Sequence, residues 1–217
     1  MEETKRAQPA TRLALTVEKD LLAGLCLITG SGFTIRVRSG CSIRELLCGQ
    51  VGIAPDYLDN RIQTIFLNSR PVDDPDRATV TAGATVALSA AMPGLVGAIL
   101  RKGSYYAALR SRVPGDGRND DGAANRQGHV VLKLFNMVQQ ELGPELLRRG
   151  ILIPGSALGG LLRRSAGTLR WGILAAEIDG TPIAPARLFD MTWSDREVCL
   201  IVCTSSGENA HGGSRPK

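Results

Sequence analysis

Apolar and polar residues alternate over Leu13, Leu15 and Val17, and again over Phe33, Ile35 and Val37, where Thr34, Arg36 and Arg38 face the other way. Period-two alternation predicts half-buried strands. Between them, residues 21–29 form a continuous apolar run, read as a further strand that Gly30-Ser31-Gly32 turns back. A helix follows with a readable start: Ser42 as cap, Glu45 three residues on, and Cys41 with Leu46 as the flanking staple. It offers Ile43, Leu46 and Leu47 to a core and ends at Gly49 or Gly52. Strands are predicted at 62–68 and, after a turn-rich stretch, toward Val86-Ala87-Leu88.

The later chain reads differently. Val130, Val131, Leu134, Phe135, Val138 and Leu142 fall on one helical stripe, predicting a helix from about residue 129 that Gly143-Pro144 interrupts. A short helix ending at Gly150, an apolar run at 151–153 and a Ser156-capped helix to Arg164 come next. Residues 168–178, 188–192 and 197–204 read as strands, with Asp179-Gly180 as a hairpin turn. Composition separates the parts. Residues 1–10 and 206–217 read as flexible tails and 114–128 as a flexible linker, because they are too polar to offset their ordering entropy. The expected organisation is a folded unit at 11–94, a basic connecting segment at 95–113, and a smaller α/β unit at 129–205.

A strand, a glycine turn, a second strand, a Ser-capped helix, then Leu67-Asn68-Ser69-Arg70-Pro71-Val72 and Ala82-Gly83-Ala84-Thr85-Val86 resembles a β-grasp (ubiquitin-like) domain. The pattern is similar to the sulfur carriers of thiamin and molybdopterin synthesis and to the TGS domain of RNA-associated proteins, and it covers residues 11–94. The resemblance implies an α+β fold, an N-terminal β-grasp domain followed by the α/β unit. It also implies partner contacts through the sheet edge or the tail after the closing strand. Met92, Pro93, Leu95 and Val96 stand in that tail and are the candidate partner-binding residues. Carrier chemistry needs a free C-terminal Gly-Gly, whose carboxylate is adenylated and thiolated. Gly212 and Gly213 form such a pair, but Ser214-Arg215-Pro216-Lys217 follows it, so a carrier role requires processing to Gly213.

Charge narrows the remaining chemistry. The 217 residues carry a net charge of +5, and no acidic side chain occurs between Asp76 and Asp116. Within that window lie Arg101, Lys102, Tyr105, Tyr106, Arg110 and Arg112, a candidate anion-binding set of cations beside aromatics, the pairing used by single-stranded nucleic acid sites. Arg110 would share the apolar face of Leu95, Ile99 and Leu100 on one continuous helix, so Gly103-Ser104 is expected to break it.

No catalytic residue is assigned. His129 and His211 are the two histidines, and His129 reads as a surface or capping residue. Asp179 and Asp195 read as turn residues, with Glu177 and Asp190 nearby. Pro154-Gly155-Ser156-Ala157-Leu158-Gly159-Gly160 lacks the Gly-Lys-Ser/Thr ending of a P-loop, and Ser156 has no identifiable base.

Cys26, Cys41, Cys48, Cys199 and Cys203 lack metal-ligand spacing and read as reduced, buried thiols. No metal or cofactor is expected. The polar start, the thiols and the lack of a membrane-length apolar run predict a cytoplasmic protein without membrane association. The sequence therefore predicts a non-enzymatic protein-binding or scaffold protein, with a processed carrier and a TGS-like RNA-binding module as alternatives. A protein partner is expected, nucleic acid is an open second partner, and the oligomeric state is unassigned.

Overall fold

The computed structural model describes residues 10–91, 94–103, 105, 127–193 and 196–205. The chain runs β1 (Thr11–Val17), α1 (Lys19–Cys26), α2 (Ile28–Ser31), β2 (Phe33–Arg38), β3 (Cys41–Ser42), two π-helical turns (Glu45–Val51 and Tyr57–Arg61), β4 (Thr64–Leu67), β5 (Arg70–Pro71), β6 (Thr79–Val80), β7 (Thr85–Ser89) and α3 (Gly94–Leu100). It resumes with β8 (Gln127–Phe135), α4 (Asn136–Arg149), β9 (Ile151–Pro154), α5 (Gly155–Arg164), α6 (Ala166–Gly172), β10 (Ile173–Ile178), β11 (Thr181–Ile183), a 3-10 turn (Pro185–Phe189) and β12 (Glu197–Thr204). The fold class is α+β. Ten strands form one mixed sheet in the order β11-β10-β1-β12-β9-β2-β8-β7-β4-β5, and β3 pairs with β6 beside it.

This order interleaves the two parts expected from composition. β1 runs parallel to β12 and antiparallel to β10, so residues 11–17 pair with the far end of the chain. β8 pairs antiparallel with β2 and parallel with β7, lying between two strands of the earlier part. The junctions at 94 and 129 therefore do not separate two sheets, and Gln127 and Gly128 of the expected linker are strand residues. The rest of the expected linker and both expected tails, apart from Ala10 and Gln127-Gly128, lie outside the described residues.

The predicted helix from residue 129 is the largest difference. Both periods fit the same apolar residues, but Val130, Leu132 and Leu134 are wholly buried while Val131 and Lys133 are not, the alternation of a strand. Asn136, at φ 54°, turns this strand into α4, which then continues through Pro144. Gly143 is required there: a Cβ would stand 2.8 Å from Cys26 Sγ, where α1 crosses α4. Residues 21–29 are helical rather than extended, since Leu21, Leu25 and Ile28 recur at helical spacing and are buried together. Residues 166–172 are likewise helix before β10, and 185–189 form the 3-10 turn rather than a strand.

The Ser42 cap is present, with the Glu45 amide donating to Ser42 Oγ at 3.1 Å, and Gly52 ends the turn at φ 85°. Ser156 caps nothing by its side chain; α5 begins at Gly155, with Pro154 before it. The Asp179-Gly180 turn has positive φ at both residues, as a two-residue hairpin requires. All five cysteines are free; Cys26 and Cys41 are buried, Cys48 and Cys199 half-buried, and Cys203 exposed, so the thiols are not uniformly core residues.

Polar side chains also cross between early and late chain. Glu141 of α4 accepts from Tyr57 Oη at 2.7 Å and from Arg61 Nε at 2.9 Å. Arg149 reaches the Val51 carbonyl at 2.9 Å. The Arg61 guanidinium and the Tyr57 hydroxyl hold the Glu141 carboxyl down at about 2, below its ordinary 4.5.

Two outcomes follow from these couplings. Because one sheet spans the chain, Leu132→Ala and Leu200→Ala should each cost about 3 kcal/mol and shift the same single urea transition. Two transitions, each moved by one substitution, would show separate units. A folded-state pKa below the unfolded value stabilises above the unfolded pKa and loses that effect as pH falls through the folded one. Stability should therefore decline between about pH 5 and pH 2, and Glu141→Gln should flatten that decline in acid-denaturation curves.

Candidate functional site

A cleft of about 670 Å³ opens where the C-terminal end of β2 meets the start of β8. Arg36, Val37, Arg38, Gln50, Gln127, Gly128 and His129 line it. Two arginines and an imidazole converge, and no carboxylate lines it among the described residues. The convergence follows from strand geometry. Phe33 and Val37 bury one face of β2, which sends Arg36 and Arg38 to the other, about 7 Å apart along the strand. Arg36 lies opposite His129 and Arg38 opposite Gln127 in the antiparallel register.

Three local features fix this end of the sheet. β9 reaches β2 only at Thr34–Leu152, leaving the outer edge of Arg38 without a strand neighbour. The Gln50 side chain takes that place: its Oε1 accepts from the Arg38 amide at 2.7 Å, and its Nε2 donates to the Arg38 carbonyl at 3.1 Å. The same Nε2 lies 3.3 Å from Cys41 Sγ, tying β3 to the clamp. On the other strand, Gly83 donates its amide to the His129 carbonyl at 2.7 Å. Gly128 admits this close turn, since a Cβ there would stand 2.8 Å from Ala82 Cβ.

The residues singled out from sequence lie elsewhere. Met92, Pro93, Tyr106, Arg110, Arg112, Gly212 and Gly213 fall outside the described residues. Leu95 is 69% exposed on α3, and Val96 belongs to the same helix. Lys102 is not a free surface cation. Its ammonium donates to the Leu58 carbonyl, its amide donates to Gln63 O at 2.8 Å, and burial lowers its pKa. Arg101 and Tyr105 are exposed, Tyr105 by 93%, and each makes interactions of its own.

Lys102 thus sits against the residues preceding β4, beside the end of β7 where Ser89 pairs with Thr64. The cleft is at the other end, where β7 begins. The described members of the expected anion-binding set therefore do not join the basic cleft. The sequence signal that could have found the cleft is the Arg36, Arg38 face of β2, given a strand reading for His129.

Other expected surfaces are narrower than foreseen. β9 meets the outer edge of β2 at Thr34 alone, and the end strands of the ten-stranded sheet are β5, with Pro71, and β11, with Pro182. Short, proline-bearing edges resist strand addition. A smaller cavity of about 190 Å³ beside Gly155, Ser156 and Arg163 is floored by Trp193, whose indole donates to the Leu188 carbonyl at 3.0 Å. Gly155 is pinned there, since a Cβ would fall 1.7 Å from the Trp193 carbonyl oxygen.

Among the described residues no three His, Cys, Asp or Glu side chains group to hold a metal ion, and no helix is long and apolar enough to cross a membrane. Comparison with protein-family models, curated proteins and solved structures returned no match for the chain.

The Gln50 clamp is testable. Gln50→Ala leaves the Arg38 amide and carbonyl to water at an uncovered strand edge, and should cost about 1–2 kcal/mol in urea denaturation. Amide hydrogen exchange at Arg38 should accelerate more than at Phe33.

Proposed function

We propose that this chain is a non-enzymatic binding or scaffold protein, built on a β-grasp unit whose first strand is supplied late in the sequence, and that the basic cleft is its contact site. The β-grasp reading draws its support from strand order. β2, β8, β7, β4 and β5 are consecutive, β8 lies antiparallel to β2 and parallel to β7, and the Ser42-led helical turn follows β2. In a β-grasp fold the central strand comes first in the chain; here β8 takes that position after the closing strand. The unit is then residues 33–89 with 127–135, not 11–94.

The binding role rests on one observation: Arg36 and Arg38 line an open cleft, with the His129 imidazole beside them, and no carboxylate lines it among the described residues. A cluster of like charge raises the free energy of the isolated protein, and an anionic partner relieves it. The carrier alternative draws less support. The strand that would bear a carrier tail is β7, whereas β12, the strand that Gly212-Gly213 follow in sequence, is separated from β7 by β9, β2 and β8.

Affinity capture from host lysate tests the role. Tagged protein should recover a reproducible partner at low salt, and Arg36→Glu with Arg38→Glu should abolish the recovery without lowering the melting temperature by more than a few degrees. Equal recovery by the variant would remove the cleft as the contact site, and no reproducible partner would remove the binding role.

A further inference from the structure

We infer that the cleft at the β2–β8 end accepts an extended acidic peptide segment, its alternate carboxylates meeting Arg36 and Arg38. The inference rests on the binding role above and names the chemistry of its partner. Arg36 and Arg38 are two residues apart on one strand face, so their side chains leave the same face from Cα atoms about 7 Å apart. An extended peptide presents its own alternate side chains at the same interval, which matches two carboxylates to two guanidinium forks. His129, opposite Arg36 on β8, and the exposed amide of Gln127, opposite Arg38, add donors across the same floor.

The strand backbone beneath these side chains is held before a ligand arrives. Gln50 holds both backbone polar groups of Arg38, and the Gly83 amide holds the His129 carbonyl. Holding the strands in place lowers the ordering cost of binding.

Nucleic acid fits the lining less well. Single-stranded sites stack bases on Phe, Tyr or Trp, and none of these lines the cleft among the described residues. The exposed Tyr105 follows Lys102 and Gly103, which are bonded to Gln63 and Asp73 away from the cleft lining. A compact anion such as phosphate would engage one guanidinium or the other without using their spacing.

Fluorescence anisotropy of the full chain tests this with two labelled octapeptides of equal charge. One alternates Glu and Ser; the other carries the same four Glu residues as two Glu-Glu pairs. The alternating peptide should bind several-fold more tightly, and the Arg36→Glu, Arg38→Glu variant should weaken it at least about tenfold. A charge-matched control, Arg164→Glu with Arg187→Glu, changes two exposed arginines that do not line the cleft and should leave binding within about twofold.

Equal affinity for the two peptides, or equal loss in the control variant, would overturn the inference. So would inorganic phosphate at the peptide's concentration displacing it, or a labelled oligothymidine binding more tightly than the peptide through the same arginines. If neither peptide binds but partner capture still depends on Arg36 and Arg38, the ligand chemistry fails and the binding role stands. If capture ignores those arginines, the role itself fails.

Discussion

Strand β8 is held on both sides by strands that precede it in the chain, and the rest of the sheet depends on that insertion. Its Val130, Leu132 and Leu134 are wholly buried, while its backbone completes the ladders of β2 and β7. Without it, those two strands would each expose a row of amide and carbonyl groups on a sheet whose apolar face is already committed to the core. The same insertion places Asn136 at the head of α4, and Asn136 Nδ2 donates to Ser89 Oγ at 2.9 Å. From there α4 carries Glu141 to Tyr57 and Arg61, and Arg149 to the end of the first helical turn. One pairing decision thus sets the register of the later helix against the earlier chain.

The cleft is a by-product of the same geometry. β8 begins level with the end of β2, so Arg36 stands opposite His129 and Arg38 opposite Gln127 at the last rungs of the ladder. Charged residues are tolerated there because the position is solvated, and their convergence is set by register rather than by local sequence. Gln50 shows how a side chain substitutes for a missing strand: a primary amide presents one acceptor and one donor, the complement of a backbone amide and carbonyl.

Several elements were legible because their signals are local. The β2 alternation, the Ser42 cap, the Gly52 stop and the Asp179-Gly180 turn each depend on a few adjacent residues, and each appears in the structure. What was not legible is non-local. Val130 to Phe135 satisfies both a helical stripe and a strand alternation, and only the vacancy between β2 and β7 selects the strand. Residues 21–29 failed for the opposite reason: nearly every position is apolar, so the run carries little periodicity until the neighbours choose a face. The cleft inherits both difficulties. Arg36 and Arg38 were placed on the correct face, but His129 could not join them while it was assigned to the head of a helix. The charge of the segment at 95–113 is visible along the sequence, whereas the fold that turns the Lys102 ammonium onto the Leu58 carbonyl is not.

The late position of β8 also orders events at the ribosome. A nascent chain that has already emerged through Ser89 holds β2, β4 and β7 but lacks the strand that joins them. About two to nine seconds of further synthesis separate Ser89 from Phe135 at ordinary elongation rates. During that interval the facing backbone edges of β2 and β7 stay unpaired at the slot β8 will fill, and closing it requires a loop spanning tens of residues. Unpaired strand edges of this kind are templates for mispairing until the missing strand arrives. A chaperone, or a second nascent copy, would meet the protein there before it meets any partner at the finished cleft.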